Sequence, residues 1–210
     1  MAAEADQEPI LPFGDLSQPT PPQMPASQPR KRKPSQVKQL IDSCDWGAYE
    51  TSVLDLLQQA IGQYRRQYAD EKVFQISIWT DPQVQASAIN FETKKHAEEH
   101  IAKWAQIFSR KYDDEKTAAR LEAEGYNDNP ADFKHCQFLE RKHPEIAAIS
   151  GLDYRYMTHR HTADARISAS LRKVVKRARD GNVFAVLPRE EVVWIGVSSP
   201  RDWYDHVTQI

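Results

Sequence analysis

Residues 72–91 read KVFQISIWTDPQVQASAINF. Phe74, Ile76 and Ile78 fall at period two, with Gln75 and Ser77 between them. That alternation is the mark of a half-buried strand. Thr80-Asp81-Pro82 supplies turn chemistry, because Pro82 fixes φ and the Asp81 carboxylate can accept from the turning backbone. A second, weaker strand follows through Val84, Ala86 and Ala88, so the stretch predicts a hairpin.

A helical pattern stands on each side of it. Upstream, Trp46, Tyr49, Val53, Leu56, Leu57, Ala60, Ile61, Tyr64 and Tyr68 recur at three- and four-residue steps, with Ser43 or Asp45 as the cap. Downstream, Thr93 is placed to cap a helix whose apolar face carries Ala97, Ile101, Trp104, Ile107, Phe108 and Tyr112. The same order is expected at the C-terminus. Ile167, Leu171, Val174, Val175 and Ala178 form a stripe, with Thr162 as candidate cap and Gly181 as candidate stop. Val183–Leu187 and Val192–Val197 then read as β-branched strands joined by a turn at Pro188–Glu191. A last helix opens at Ser199-Pro200 and steps through Trp203, Val207 and Ile210. Trp203 and Tyr204 there serve either packing on the sheet or a dimer contact. The expected class is α+β. It is an antiparallel sheet of four or more strands with helices packed on it, in helix–strand–strand–helix order at both ends.

Residues 1–36 form a disordered proline-rich tail by composition, holding eight of the 13 prolines. The tail ends in the basic cluster Arg30-Lys31-Arg32-Lys33, which reads either as a solvated charge run or as an anion-binding or nuclear signal. Residues 37–210 are then a single domain, with its first clear helix near Asp45. Between the two units the pattern is thinner. A short helix is expected near Thr117–Glu124, ending at Gly125. Asn129-Pro130 reads as a cap with proline at the first helical position, opening a second short helix that carries Phe133, Phe138 and Leu139.

The chain has 210 residues, 40% of them hydrophobic, which is enough for one real core. The formal charge of -2 argues against a general nucleic-acid binder. Two cysteines, Cys44 and Cys136, are too few for a disulfide framework and point to a reducing, cytoplasmic setting. No apolar run reaches the length of a membrane span, and the acidic N-terminus lacks the apolar stretch of a secretory signal.

Catalytic patterns are sparse. There is no G-x-S-x-G elbow, no glycine-rich phosphate loop, and His135 beside Cys136 is not a dyad on a helix. His135, His143, His159 and His161, with Asp153 and Asp164 nearby, supply metal-ligand types, but their spacing fits no established zinc or iron motif. The competing reading is hydrogen-bonded loop histidines. A metal-dependent hydrolase is accordingly one of the weaker alternatives, and no cofactor is expected.

Charge segregation is a stronger signal. Residues 113–132 carry Asp113, Asp114, Glu115, Glu122, Glu124, Asp128 and Asp132 against Lys116 and Arg120, a net of -5. Residues 155–179 carry eight Arg and Lys against Asp164, a net of +7. Arg172, Lys173, Lys176 and Arg177 would form the outer face of the helix whose inner face is Leu171, Val174 and Val175. That face suits phosphates, a solvated surface, or the acidic segment of the same fold.

Three pieces carry a family resemblance. They are Asp45-Trp46 opening a long helix, VFQISIWTDPQVQASAINFET at 73–93, and LRKVVKRARDGNVFAVLPREEVVWIGVSS at 171–199. Together they resemble, over roughly 45–200, a bacterial family of uncharacterised small α+β proteins found beside polymorphic toxins. In that family a strand ending in a Thr-Asp turn is followed by an Asn-Thr-like step, here Asn90-Phe91-Glu92-Thr93. Its members are similar in role to SUKH-type immunity proteins. The resemblance implies a non-enzymatic cytoplasmic binding protein that neutralises a cognate bacterial toxin, as in toxin–antitoxin pairs. On this reading the acidic residues Asp113, Asp114, Glu115, Glu122, Glu124 and Asp128 face the toxin, for which a basic nuclease fits. The alternative is a nucleic-acid-associated or regulatory protein, binding anions through Arg172, Lys173, Lys176 and Arg177.

Overall fold

The computed structural model describes residues 32–108, 129–198 and 205–210. Helix α1 (Pro34–Asp42) comes first, with proline at its opening position, where the missing N–H costs nothing. It lies partly inside what composition assigns to the tail. Its Val37 and Ile41 are buried in the main core. Helix α2 (Trp46–Gln67) follows, its start capped by the Asp45 carboxylate, which accepts from the Ala48 N–H at 2.9 Å.

Strands β1 (Val73–Asp81) and β2 (Ala86–Thr93) form the expected antiparallel hairpin, with Ile76 opposite Phe91 and Ile78 opposite Ile89. Gln85 takes a left-handed φ of 53° at the turn, and Asp81 Oδ1 accepts from the Gln83 N–H at 2.7 Å. Helix α3 (Lys94–Ile107) leaves β2 without a loop, its start capped by Thr93. After a 3-10 turn at Pro130–Asp132 comes strand β3 (His135–Lys142), where sequence predicts a short helix. A second 3-10 turn leads into the short helix α4 (Ala147–Ser150), and then α5 (Met157–Asp180) runs 24 residues to Gly181. It starts five residues before Thr162, whose hydroxyl instead bonds back to the Thr158 carbonyl.

The C-terminal unit departs from the expected order. Val183–Val186 is a 3-10 turn and not a strand. Strand β4 (Arg189–Ser198) absorbs most of the expected Pro188–Glu191 turn, and Asp205–Gln209 is strand β5 and not part of a helix. Among the described residues the unit therefore runs helix, 3-10 turn, strand, strand.

The five strands make one sheet in the order β3-β2-β1-β4-β5. It is mixed and not antiparallel, because β1 and β4 pair in parallel, with Ile76 opposite Ile195 and Ile78 opposite Val197. A parallel pair needs a long crossover, and here the chain between the two strands includes α5.

The two faces of the sheet differ. Ile76, Ile78, Ile89, Phe91, Ile195 and Val197 share one apolar core with α2 and with Ile167, Leu171 and Val174 of α5. Alternation puts the intervening residues on the opposite face. There Glu92, Gln75 and Trp194 align across three strands, and Asn90, Ser77 and Gly196 form the next row. Gln75, Ser77, Asn90 and Glu92 are all buried. Helix α3 borders β2 and β1 through buried Ala97, Ile101 and Ala105, which stand outside the main core cluster.

Candidate functional site

Glu92 is the last but one residue of β2, and its side chain is fully buried. A buried carboxylate is tolerated only when its lone pairs are satisfied. Its Oε1 accepts from the Thr93 N–H at 2.8 Å and from the Lys134 N–H at 3.3 Å. Both oxygens meet Nδ1 of His96, at 3.0 and 2.9 Å. The strand runs directly into α3, so Glu92 and His96 stand four apart across the junction and face each other.

His96 opens a row along α3. Its ring stacks at 6.5 Å on His100, which lies 6.0 Å from Trp104, which lies 5.9 Å from Phe108. Burial holds the His100 imidazole below its ordinary pKa, with Asp132, 3.6 Å away, pulling the other way. Glu71, in the turn before β1, meets the Lys134 ammonium and His135 Nε2. Burial pushes its carboxyl up, but hydrogen bonds from Lys134 and His135 outweigh that and hold it below the usual range.

These elements enclose a cleft of about 470 Å³. Thr93, Lys94, Lys95, His96 and Glu99 of the β2–α3 junction line one part. Asp70, Glu71 and Lys72, then Lys134, then Glu190 of β4 complete it. With Nδ1 fixed on Glu92, Nε2 of His96 has no partner among the described residues, and the side chain is 38% exposed. The histidines singled out from sequence are His135, His143, His159 and His161, and His96 is not among them. The Glu92-Thr93-x-x-His96 spacing, placed where a strand gives way to a capped helix, is the signal that would have found it.

The residues singled out from sequence fall elsewhere. Asp113, Asp114, Glu115, Glu122, Glu124 and Asp128 lie outside the described residues, as does the helix expected at Thr117–Glu124. Arg172, Lys173, Lys176 and Arg177 are all exposed on α5, opposite its buried Leu171, Val174 and Val175. Lys173 pairs with Glu50 at 3.2 Å, and Lys176 pairs with Asp180 on the next turn.

The four histidines do not share one environment. His135 packs in an aromatic cluster with Tyr64, Tyr68 and Phe138. His143 lies edge-on to Tyr49, fully buried, and its Nδ1 is 3.8 Å from Glu145. His159 is buried against Tyr156, with Nε2 3.2 Å from the Arg32 carbonyl. His161 is on α5, two residues further on. Among the described residues no three His, Cys, Asp or Glu side chains converge as a metal site. Burial raises the Cys44 thiol pKa, and partial desolvation with the nearby Asp132 charge raises that of exposed Cys136, so each is a poorer nucleophile. No helix among the described residues is long and apolar enough to cross a membrane. Comparison with protein-family models, with curated proteins and with solved structures gave no match.

Proposed function

We propose that this protein is a non-enzymatic binding protein of the immunity type, which neutralises a cognate bacterial toxin by covering it. The observation that carries the reading is charge segregation: a net of -5 over residues 113–132 in a chain whose overall charge is only -2. Nucleases work on polyanions and present cations at their active sites, so an acidic segment is the complement such a toxin needs. Asp113, Asp114, Glu115, Glu122, Glu124 and Asp128 are the contacts in this reading. The burial of His143 and His159 agrees with it, since neither imidazole is presented to a substrate.

The test is co-expression with the product of the neighbouring gene, followed by binding kinetics. Rescue of growth is expected, with association at least about tenfold slower when Asp113, Asp114 and Glu115 are changed to Lys, because rim charges act mainly on the on-rate. Unchanged kinetics, or no rescue, would remove the proposal. A second reading is favoured by the exposed cations of α5, Arg172, Lys173, Lys176 and Arg177, which would meet nucleic acid.

A further inference from the structure

The arrangement around Glu92 is more than a structural hydrogen-bond set. Burying a carboxylate opposes folding by several kcal/mol unless it is fully paired. Here that group is used to hold one edge of an imidazole whose other edge opens onto a cleft. The cleft volume, about 470 Å³, lies within the range of small-molecule sites.

The lining is of mixed sign. On the α3 side stand His96, Lys94 and Lys95, with Glu98 lying 3.9 Å from Lys94 and Glu99 3.9 Å from Lys95. Elsewhere in the lining Glu71 is taken up by Lys134 and His135. Asp70 and Glu190 have no ion pair among the described residues, and Lys72 stands beside Asp70 and Glu71 in the same lining. A simple anion would meet those two carboxylates unfavourably, and a simple cation would meet the lysines.

We propose that the cleft binds a small zwitterion, with a phosphate or carboxylate group at one end and an ammonium at the other. The oxyanion sits against His96 Nε2 and the Lys94 and Lys95 ammonium groups. The ammonium sits between Asp70 and Glu190. The oxyanion accepts from Nε2–H of the His96 ring, whose other edge Glu92 holds. The site stands apart from the immunity reading, which needs no small ligand.

The full chain, labelled with nitrogen-15, is titrated with O-phosphoethanolamine, with inorganic phosphate alone and with ethanolamine alone. Saturable shifts are expected at the His96 ring and at the Lys94 and Lys95 amides. O-phosphoethanolamine should bind about fivefold more tightly than phosphate, the factor one exposed ion pair supplies. His96→Gln should abolish the shifts. Asp70→Asn with Glu190→Gln, both away from the core, should reduce affinity to that of phosphate. Overturning results are no saturable shift at His96, shifts that persist in His96→Gln, or equal affinity for phosphate and O-phosphoethanolamine. The Asp70 and Glu190 pair decides the matter even if His96→Gln does not fold.

Discussion

His143 sits with no exposed surface, its ring 5.1 Å from Tyr49 and both ring nitrogens without a hydrogen bond. Burial, with the Arg141 charge adding to it, pushes its pKa down from 6.5 to about 4. Below pH 6.5 the unfolded chain therefore binds a proton that the folded chain refuses. Stability contributed by this residue is complete above 6.5 and is lost as the pH falls towards 4. Between neutral pH and about pH 4.5 the loss should be roughly 2–3 kcal/mol. Urea titrations at the two pH values measure it, and His143→Leu should remove that share of the pH dependence. A variant with the same slope as wild type would show that another group is responsible. Nearby, Tyr49 donates to or accepts from Thr80 at 2.8 Å, and Thr80 meets Ser87 at 2.7 Å. Burial pushes the Tyr49 hydroxyl pKa up to about 12, so this chain of hydroxyls stays neutral across the same pH range.

At the scale of elements, α1 shows how composition misleads. Pro34 reads as the end of a tail, yet it opens a helix whose Val37 and Ile41 are 3% and 5% exposed. The Trp46 indole donates to the Ile41 carbonyl at 2.7 Å and ties α1 to α2. Ile41→Ala should therefore lower stability by about 2–4 kcal/mol in urea unfolding. A loss below about 0.5 kcal/mol, typical of surface positions, would mean that α1 is not part of the core. The hairpin and helices α2, α3 and α5 were legible because one-sided burial imposes a local period that each segment carries by itself. β3 was not. Gln137 has a φ of 48° and is held there by its N–H bond to Asn90 Oδ1 at 2.7 Å, so the bulge breaks the alternation and leaves Phe138 and Leu139 looking helical. Val183–Val186 is β-branched at both ends but follows left-handed Asn182. Its buried neighbours Phe184 and Leu187 are three apart, the spacing of a 3-10 turn. The parallel pairing of β1 with β4 is non-local, and no segment encodes it. The cleft was readable only in part. Thr93 was identifiable as a cap, but the partnership of Glu92 with His96 depends on the strand meeting the helix with no residue between them.

Across the whole molecule, the same segregation of charge on which the toxin-binding proposal rests also offers a cationic face, and the two readings can be separated by range. Beyond a Debye length of about 8 Å at physiological salt, a partner senses net charge more than local patches. Net charge here is -2, so the chain as a whole does not attract a polyanion. At contact, Lys173 and Lys176 have protein carboxylates beside them, Glu50 and Asp180 respectively. Both features weaken binding to duplex DNA. We therefore expect no saturable duplex binding in fluorescence anisotropy at about 0.15 M salt. Changing Arg172, Lys173, Lys176 and Arg177 together to Gln should leave toxin neutralisation intact. The nucleic-acid reading requires the opposite on both counts. If all four cations met phosphates, log K would fall against log salt with a slope of about -3 to -4, and the fourfold variant would abolish both the slope and the binding. A steep slope that vanishes with those four side chains would transfer the function of the molecule to α5 and leave the acidic segment as its internal counter-charge.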